Sequence, residues 1–258
     1  VRDSRRFREK QVSLEVIRQS VLDNRGRLII SFPIITWDFR WQRPQHIVSR
    51  LRNHGFSVLY VAMSLAALGH RIRGSKEALT QVGFNELAPP VNQIWLNSSR
   101  QLNIYTDPIE GDDLYNISIG LNALISELRP KSIIYLIQFP GWGPVAQDLQ
   151  KKLGGKLIFD CMDDHGGFST NTAQALKTEE VLIENADLVI ASSNLLEERA
   201  KVLNPNTIQV KNGTEFYHFT NPKQNGYLVH FCDRLIIGYY GAISDWFDMK
   251  LVAYCALQ

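Results

Sequence analysis

Asp163-Asp164-His165-Gly166-Gly167-Phe168 is the densest polar cluster of the 258-residue sequence, and it directly follows the apolar run Lys156 to Met162. Two adjacent carboxylates and an imidazole can orient a hydroxyl, exchange a proton or stabilise a developing positive charge, which makes Asp163, Asp164 and His165 candidate catalytic residues. The plainer alternative is a turn in which Asp163 or Asp164 caps backbone amides and His165 is exposed. A metal site is the weaker reading, because adjacent side chains from one strand end diverge and no second ligand cluster is spaced to complete a shell.

A second set follows another apolar run, Leu28 to Phe32, and comprises Trp37, Asp38, Phe39, Arg40, Trp41, Gln42 and Arg43. Aromatic faces offer an apolar floor for sugar rings or bases, and arginine offers a planar fork for phosphate or carboxylate. Trp37, Arg40 and Arg43 are therefore candidate substrate contacts, against the alternative of core tryptophans and solvated arginines. Gln138, after the run Ser132 to Ile137, is a further polar candidate. The glycines and prolines around Trp142 either serve turn geometry or let backbone amides approach a substrate. Ser192 and Ser193 suit a helix cap better than a substrate contact.

The elements that must position these residues are legible as a repeat of apolar run, loop and helical period. Leu28–Phe32, Phe56–Met63, Ser132–Ile137, Lys156–Met162 and Asp187–Ala191 lack the polar alternation of a half-exposed strand, so they predict strands buried on both faces of a parallel sheet. Pro44 opens a helix, Pro130 ends one over Leu114–Leu128, and further helices are expected over Val145–Leu153, Thr178–Asn185 and Leu195–Leu203. The fold class is α/β, a Rossmann-like parallel sheet flanked by helices, with ligands collecting at the strands' carboxyl ends. Ser64–Ser99 reads as an irregular excursion, with short strands expected near Ile94–Leu96 and Leu102–Tyr105. A charged N-terminal segment, residues 1–26, suggests a linker helix, with contact to an anionic membrane surface as the alternative. The main domain is expected over 27–221, and 222–258 read as a linker and a first strand and helix of another domain, with the strand over Arg234–Tyr240.

An apolar fraction of 45% places the chain among globular proteins, and a formal net charge of +2 does not point to nucleic acid. Cys161, Cys232 and Cys255 are widely spaced, which supports neither a disulfide framework nor a zinc site and fits a reducing cytoplasm. No apolar run approaches the roughly 20 residues of a membrane span.

The phrase WDFRWQRPQHIVSRL (Trp37–Leu51) resembles the first loop and helix of a bacterial branch of glycosyltransferase family 4, and ADLVIASSNLLEERA resembles a later phrase of the same family. The resemblance implies the GT-B fold and a retaining hexosyl-type transfer from a nucleotide-sugar donor to a glycan or glycolipid acceptor of a bacterial polysaccharide. It also implies no cofactor, and a leaving diphosphate stabilised without metal. Lys211-Asn212-Gly213 resembles the family's late turn toward the interdomain cleft, which makes Asn212 a candidate substrate contact. Gly241 and Ala242 resemble the glycine turn that approaches the donor phosphate. On this reading the chain is the acceptor-side domain and the start of the donor domain of a larger polypeptide, inactive alone, cytoplasmic or at the inner face of the membrane. A valine at position 1 fits an excised piece, and a full second domain would need roughly 100 or more further residues. Alternatives are a noncatalytic carbohydrate-binding or scaffolding module and a sugar-nucleotide epimerase of the same fold.

Overall fold

The computed structural model describes residues 10–88, 91–167, 173–220, 237–239, 241, 243 and 247–257. The chain divides into two compact units, Val1–Gly213 and Thr214–Gln258. The first contains β1 (Lys10–Gln11), α1 (Leu14–Asp23), β2 (Arg27–Phe32), α2 (Arg43–Arg52), β3 (Ser57–Val61), β4 (Ala66–Ala67), α3 (Ser75–Gln81), β5 (Gly83–Ala88), β6 (Val91–Trp95) and β7 (Asn97–Ser98). It continues with α4 (Gly111–Leu128), β8 (Ser132–Ile137), α5 (Gly143–Leu153), β9 (Lys156–Cys161), α6 (Ala173–Asn185), β10 (Leu188–Ala191), α7 (Asn194–Leu203) and β11 (Thr207–Gln209). The second unit holds α8 (Phe216–Thr220) and α9 (Met249–Ala256), the latter capped by the Asp248 carboxylate, which accepts from the Lys250 and Leu251 amides. Of the expected strand over 234–240, residues 234–236 and 240 lie outside the described residues, and 237–239 are not in a strand.

Nine strands form one sheet in the order β1-β5-β6-β3-β2-β8-β9-β10-β11. From β6 to β11 every pairing is parallel, as the apolar runs predict. Chain order runs outward from β2 through β3 to β6 on one side, then restarts at β8 and runs outward through β11 on the other. The switch point therefore lies between β2 and β8, whose last residues, Phe32 and Ile137, are register partners.

The apolar runs resolve into two faces by strand alternation. Leu28, Ile30 and Phe32 of β2 enter the main core with Ile137, Leu157, Phe159 and the apolar stripe of α4. Ile29 points to the other face, where it joins Val48 of α2 and Val58, Tyr60 and Leu136. One glycine is dictated by close approach: Gly155, at φ +101, precedes β9 where a Cβ would sit 2.8 Å from the Ile133 carbonyl oxygen.

Three expectations differ from the structure. The sheet is not wholly parallel, because β5 runs antiparallel to β6 and β1 antiparallel to β5. The excursion contains a helix, α3, and its strands are β4, β5, β6 and β7, of which β6 supplies the one expected near residues 94–96, while residues 102–105 form no strand. These elements are too short for a hydrophobic period to establish itself, so local composition reads as loop. Finally, α1 puts Ile17 and Val21 into the main core with no exposed surface, instead of lying apart as a linker. Ile17→Ala is accordingly expected to cost about 2–5 kcal/mol of stability. Urea denaturation measures this; a cost near 0.5 kcal/mol would return α1 to the status of a surface linker.

Candidate functional site

Strand alternation also explains why a polar row lies at the switch point. Ser31, Gln138 and Asp160 occupy the same face as Ile29, Leu136 and Ile158, near the carboxyl ends of the neighbouring strands β2, β8 and β9. The Ser31 hydroxyl donates to Gln138 Oε1 at 3.3 Å, and Gln138 Nε2 donates to Asp160 Oδ2 at 3.1 Å. Asp160 has no exposed surface. Its charge is met by Arg43 at the start of α2, which donates through Nε and Nη2 to Oδ1 at 2.9 and 2.7 Å. Arg43 Nη1 then reaches Asn212 Oδ1 at 3.1 Å. Five residues distant in sequence thus form one hydrogen-bonded chain, in which charged, planar donors give short, directional bonds.

The loop between β2 and α2 is fixed by side chains aimed at its carbonyl groups. Trp142 Nε1 donates to Pro33 O at 3.0 Å, the Tyr105 hydroxyl to Ile34 O at 2.7 Å, and the Tyr60 hydroxyl to Ile35 O at 2.7 Å. Burial, with the Tyr105 phenol adding a smaller contribution, raises the Tyr60 phenol well above its ordinary range, so it remains a donor. Gln45, fully buried, donates from Nε2 to the carbonyls of Thr36, Trp37 and Arg40 at 3.3, 3.1 and 2.8 Å. Its Oε1 accepts from the Gln42 amide at 3.1 Å, which caps the first turn of α2.

Past β9, the chain turns through Asp163, Asp164 and a short 3-10 segment, His165–Gly167. The three candidate catalytic side chains do not share one environment. Asp163 is exposed, while Asp164 Oδ2 pairs with Arg199 Nη1 of α7 at 2.7 Å. His165, only 8% exposed, has Nδ1 2.8 Å from Glu179 Oε1 of α6, and its ring lies 6.3 Å from that of Phe139. The imidazole is thus buried, where the turn alternative has it exposed, and adjacent side chains diverge to separate partners. Ser193 caps α7 by accepting from the Leu196 amide, and the Ser192 hydroxyl donates to Met162 O.

Of the expected substrate contacts, Arg43, Gln138 and Asn212 come together, but their hydrogen bonds go chiefly to one another and to Asp160. Trp37 is 7% exposed and packs edge-on against Tyr60 in the core, so its ring floor faces protein. Arg40 is exposed, with its guanidinium 5.0 Å from the Phe39 ring centre. Gly241 is exposed in the second unit, and Ala242 lies outside the described residues. Sequence reasoning missed Asp160, Gln45 and Glu179. The signal for Asp160 was present, a carboxylate inside an otherwise apolar run; for Glu179, one of several acidic residues on a helix, there was none.

Burial first, and then the carboxylates of Glu179, Asp160, Asp163 and Asp164, pushes the Cys161 thiol up to about 12. At pH 8 iodoacetamide is expected to label the exposed Cys255 and spare Cys161 until the protein is denatured, as read by peptide mass spectrometry. Removing one partner of the buried pair leaves an uncompensated charge, so Arg43→Met is expected to cost about 3–5 kcal/mol, and adding Asp160→Leu to recover most of that loss. A denaturant double-mutant cycle measures the coupling; additive losses would mean that the two charges are not mutually compensating.

No family model and no curated protein matches this chain. Among solved structures, it is similar to a sucrose-phosphate synthase from Thermosynechococcus elongatus, with a TM-score of 0.50 and 14% identity over 75% of this chain and 50% of that one. A second sucrose-phosphate synthase chain from the same organism aligns over 73% of this chain and 90% of its own, with 16% identity and a TM-score of 0.47. This chain thus spans half the length of the first of these. At such identity the likeness is one of fold: a Rossmann-like α/β domain of the kind found in a GT-B glycosyltransferase.

Proposed function

We propose that the chain is the acceptor-side part of a retaining glycosyltransferase that moves a hexosyl group from a nucleotide-sugar to a glycan or glycolipid of a bacterial polysaccharide. The observation that carries the reading is the polar cluster at the switch point, where Arg43, Asp160, Gln138 and Asn212 brace loops at the carboxyl edge of the sheet. Open α/β sheets bind ligands at that edge. Fold likeness to sucrose-phosphate synthase and the phrase Trp37–Leu51 point to the same class of chemistry. In family terms the chain is a member of glycosyltransferase family 4, working with further domains of a larger polypeptide in the cytoplasm or at the inner face of the membrane.

In the reaction the donor's anomeric C–O bond breaks and its electron pair leaves on the nucleoside diphosphate. The acceptor oxygen bonds to the same carbon on the same face, and the acceptor hydroxyl passes its proton to the departing diphosphate oxygen. Asp163, exposed two residues past β9, is on this reading the carboxylate that meets the positive charge developing on the sugar ring. Asp164, tied to Arg199, and His165, tied to Glu179, hold the turn that presents it and line the acceptor side. The resemblance assigns the diphosphate to backbone amides around Gly241 and Ala242 and to cations of the donor domain, without a metal or other cofactor.

The test uses a longer polypeptide carrying this chain, assayed with nucleotide-sugars and short acceptor glycans. Asp163→Asn is expected to lower turnover about 100-fold, the usual scale for a lost electrostatic contact at the reacting centre, while donor affinity stays within a few-fold. Asp164→Asn should act in the same direction and also lose its ion pair to Arg199. Turnover within a few-fold of wild type for both variants, at saturating substrates, would assign the cluster to turn capping. Glycan binding without any transfer would leave a noncatalytic carbohydrate module.

A further inference from the structure

Trp37 and Trp41 are alike in sequence, but the fold gives them opposite surroundings. Trp37 is in the core, whereas Trp41 is 50% exposed near the end of the loop between β2 and α2, two residues before the helix. Its indole is nevertheless held. The Trp37 ring meets it nearly at right angles with centroids 5.3 Å apart, and its Nε1–H donates to His46 Nδ1 at 3.2 Å. Because that N–H lies in the ring plane, His46 occupies an edge of the indole and leaves the broad face unclaimed by this bond. The backbone leading into the ring is also fixed, since Gln45 holds the carbonyls of Trp37 and of Arg40, the residue just before it.

We propose that the Trp41 indole is a stacking platform for a pyranose ring of a neutral acceptor glycan. The C–H bonds on one face of a pyranose form an apolar surface surrounded by hydroxyls, and a rigid aromatic face covers such a surface with little side-chain entropy left to lose. Arg40 and Asp38, exposed in the same loop, offer a donor and an acceptor for the ring's hydroxyls. A membrane surface is the less suitable partner. An interfacial tryptophan directs its N–H to the wet headgroup layer, whereas this N–H is spent on His46, and the neighbouring Phe39 is already stacked with the Arg40 guanidinium. Naming the glycan as an acceptor rests on the glycosyltransferase reading; the stacking itself does not.

The 258-residue chain is titrated with cellotetraose, chitotetraose and maltotetraose, followed by tryptophan fluorescence and saturation-transfer NMR. At least one sugar is expected to bind, roughly three- to tenfold more weakly to Trp41→Ala, with Trp41→Phe recovering most of the loss. Circular dichroism confirms that both variants keep the wild-type fold. Equal binding by Trp41→Ala and wild type, or no Trp41-dependent signal from any of the three sugars, overturns the platform. So does Trp41-dependent binding to phosphatidylglycerol vesicles without sugar binding. Trp41-dependent sugar binding together with an absence of transfer in the longer polypeptide keeps the platform and rejects the transferase. Transfer whose acceptor KM is unchanged by Trp41→Ala keeps the transferase and rejects the platform.

Discussion

A carboxylate with no exposed surface, in a strand buried on both faces, has to be neutralised by something brought to it. Asp160 is that carboxylate, and Arg43 is what is brought. The guanidinium meets both oxygens from the first residue of α2, so the pair ties the start of the helix, and the exit of the loop before it, to β9. Gln138 from β8 and Asn212 from beyond β11 complete the shell. A well-packed apolar pair could fill the same space at no loss of stability, which is why such an arrangement is better understood as fixing one geometry than as holding the fold together.

The loop between β2 and α2 has a related difficulty. Irregular backbone packed against a sheet edge carries carbonyl groups that no strand or helix satisfies. Here the solution is distributed: Trp142, Tyr105, Tyr60 and Gln45 each come from a different part of the chain and take consecutive carbonyls from Pro33 to Trp37, with Arg40 added by Gln45. Trp142 and Tyr60 contribute their polar ends to the loop and their rings to the core, so the loop is ordered in part by the same side chains that pack the sheet, while Tyr105 holds it from a half-exposed position.

Much of this was legible in the residues. The buried strands were visible as apolar runs, the start of α2 in Pro44, and the carboxyl-end location of the polar loops followed from an α/β alternation. What could not be read was which face each residue takes. Asp160 and Cys161 are neighbours in one run, yet one faces the polar row and the other the main core, and only the register of β9 between β8 and β10 decides it. Trp37 and Trp41 are the same residue type four positions apart, and their fates depend on Tyr60, which lies in another strand. His165 was visible, but its partner Glu179 looked like any acidic residue of an exposed helix. Short elements such as α3 and β5 fell below the length at which periodicity speaks.

The stitching of the loop has an evolutionary corollary. Its anchors hold backbone carbonyls, which every amino acid possesses, and they come from outside the tip. Asp38, Phe39, Arg40 and Trp41 are exposed, and the carbonyl bonds that anchor the loop come from other side chains. Selection can therefore replace those four almost freely while the loop keeps its path, in the way that hypervariable loops diversify on an unchanging frame. A lineage carrying this domain could drift from one ligand to another by substitutions confined to the tip, with the sheet, its buried charge pair and its folding left undisturbed.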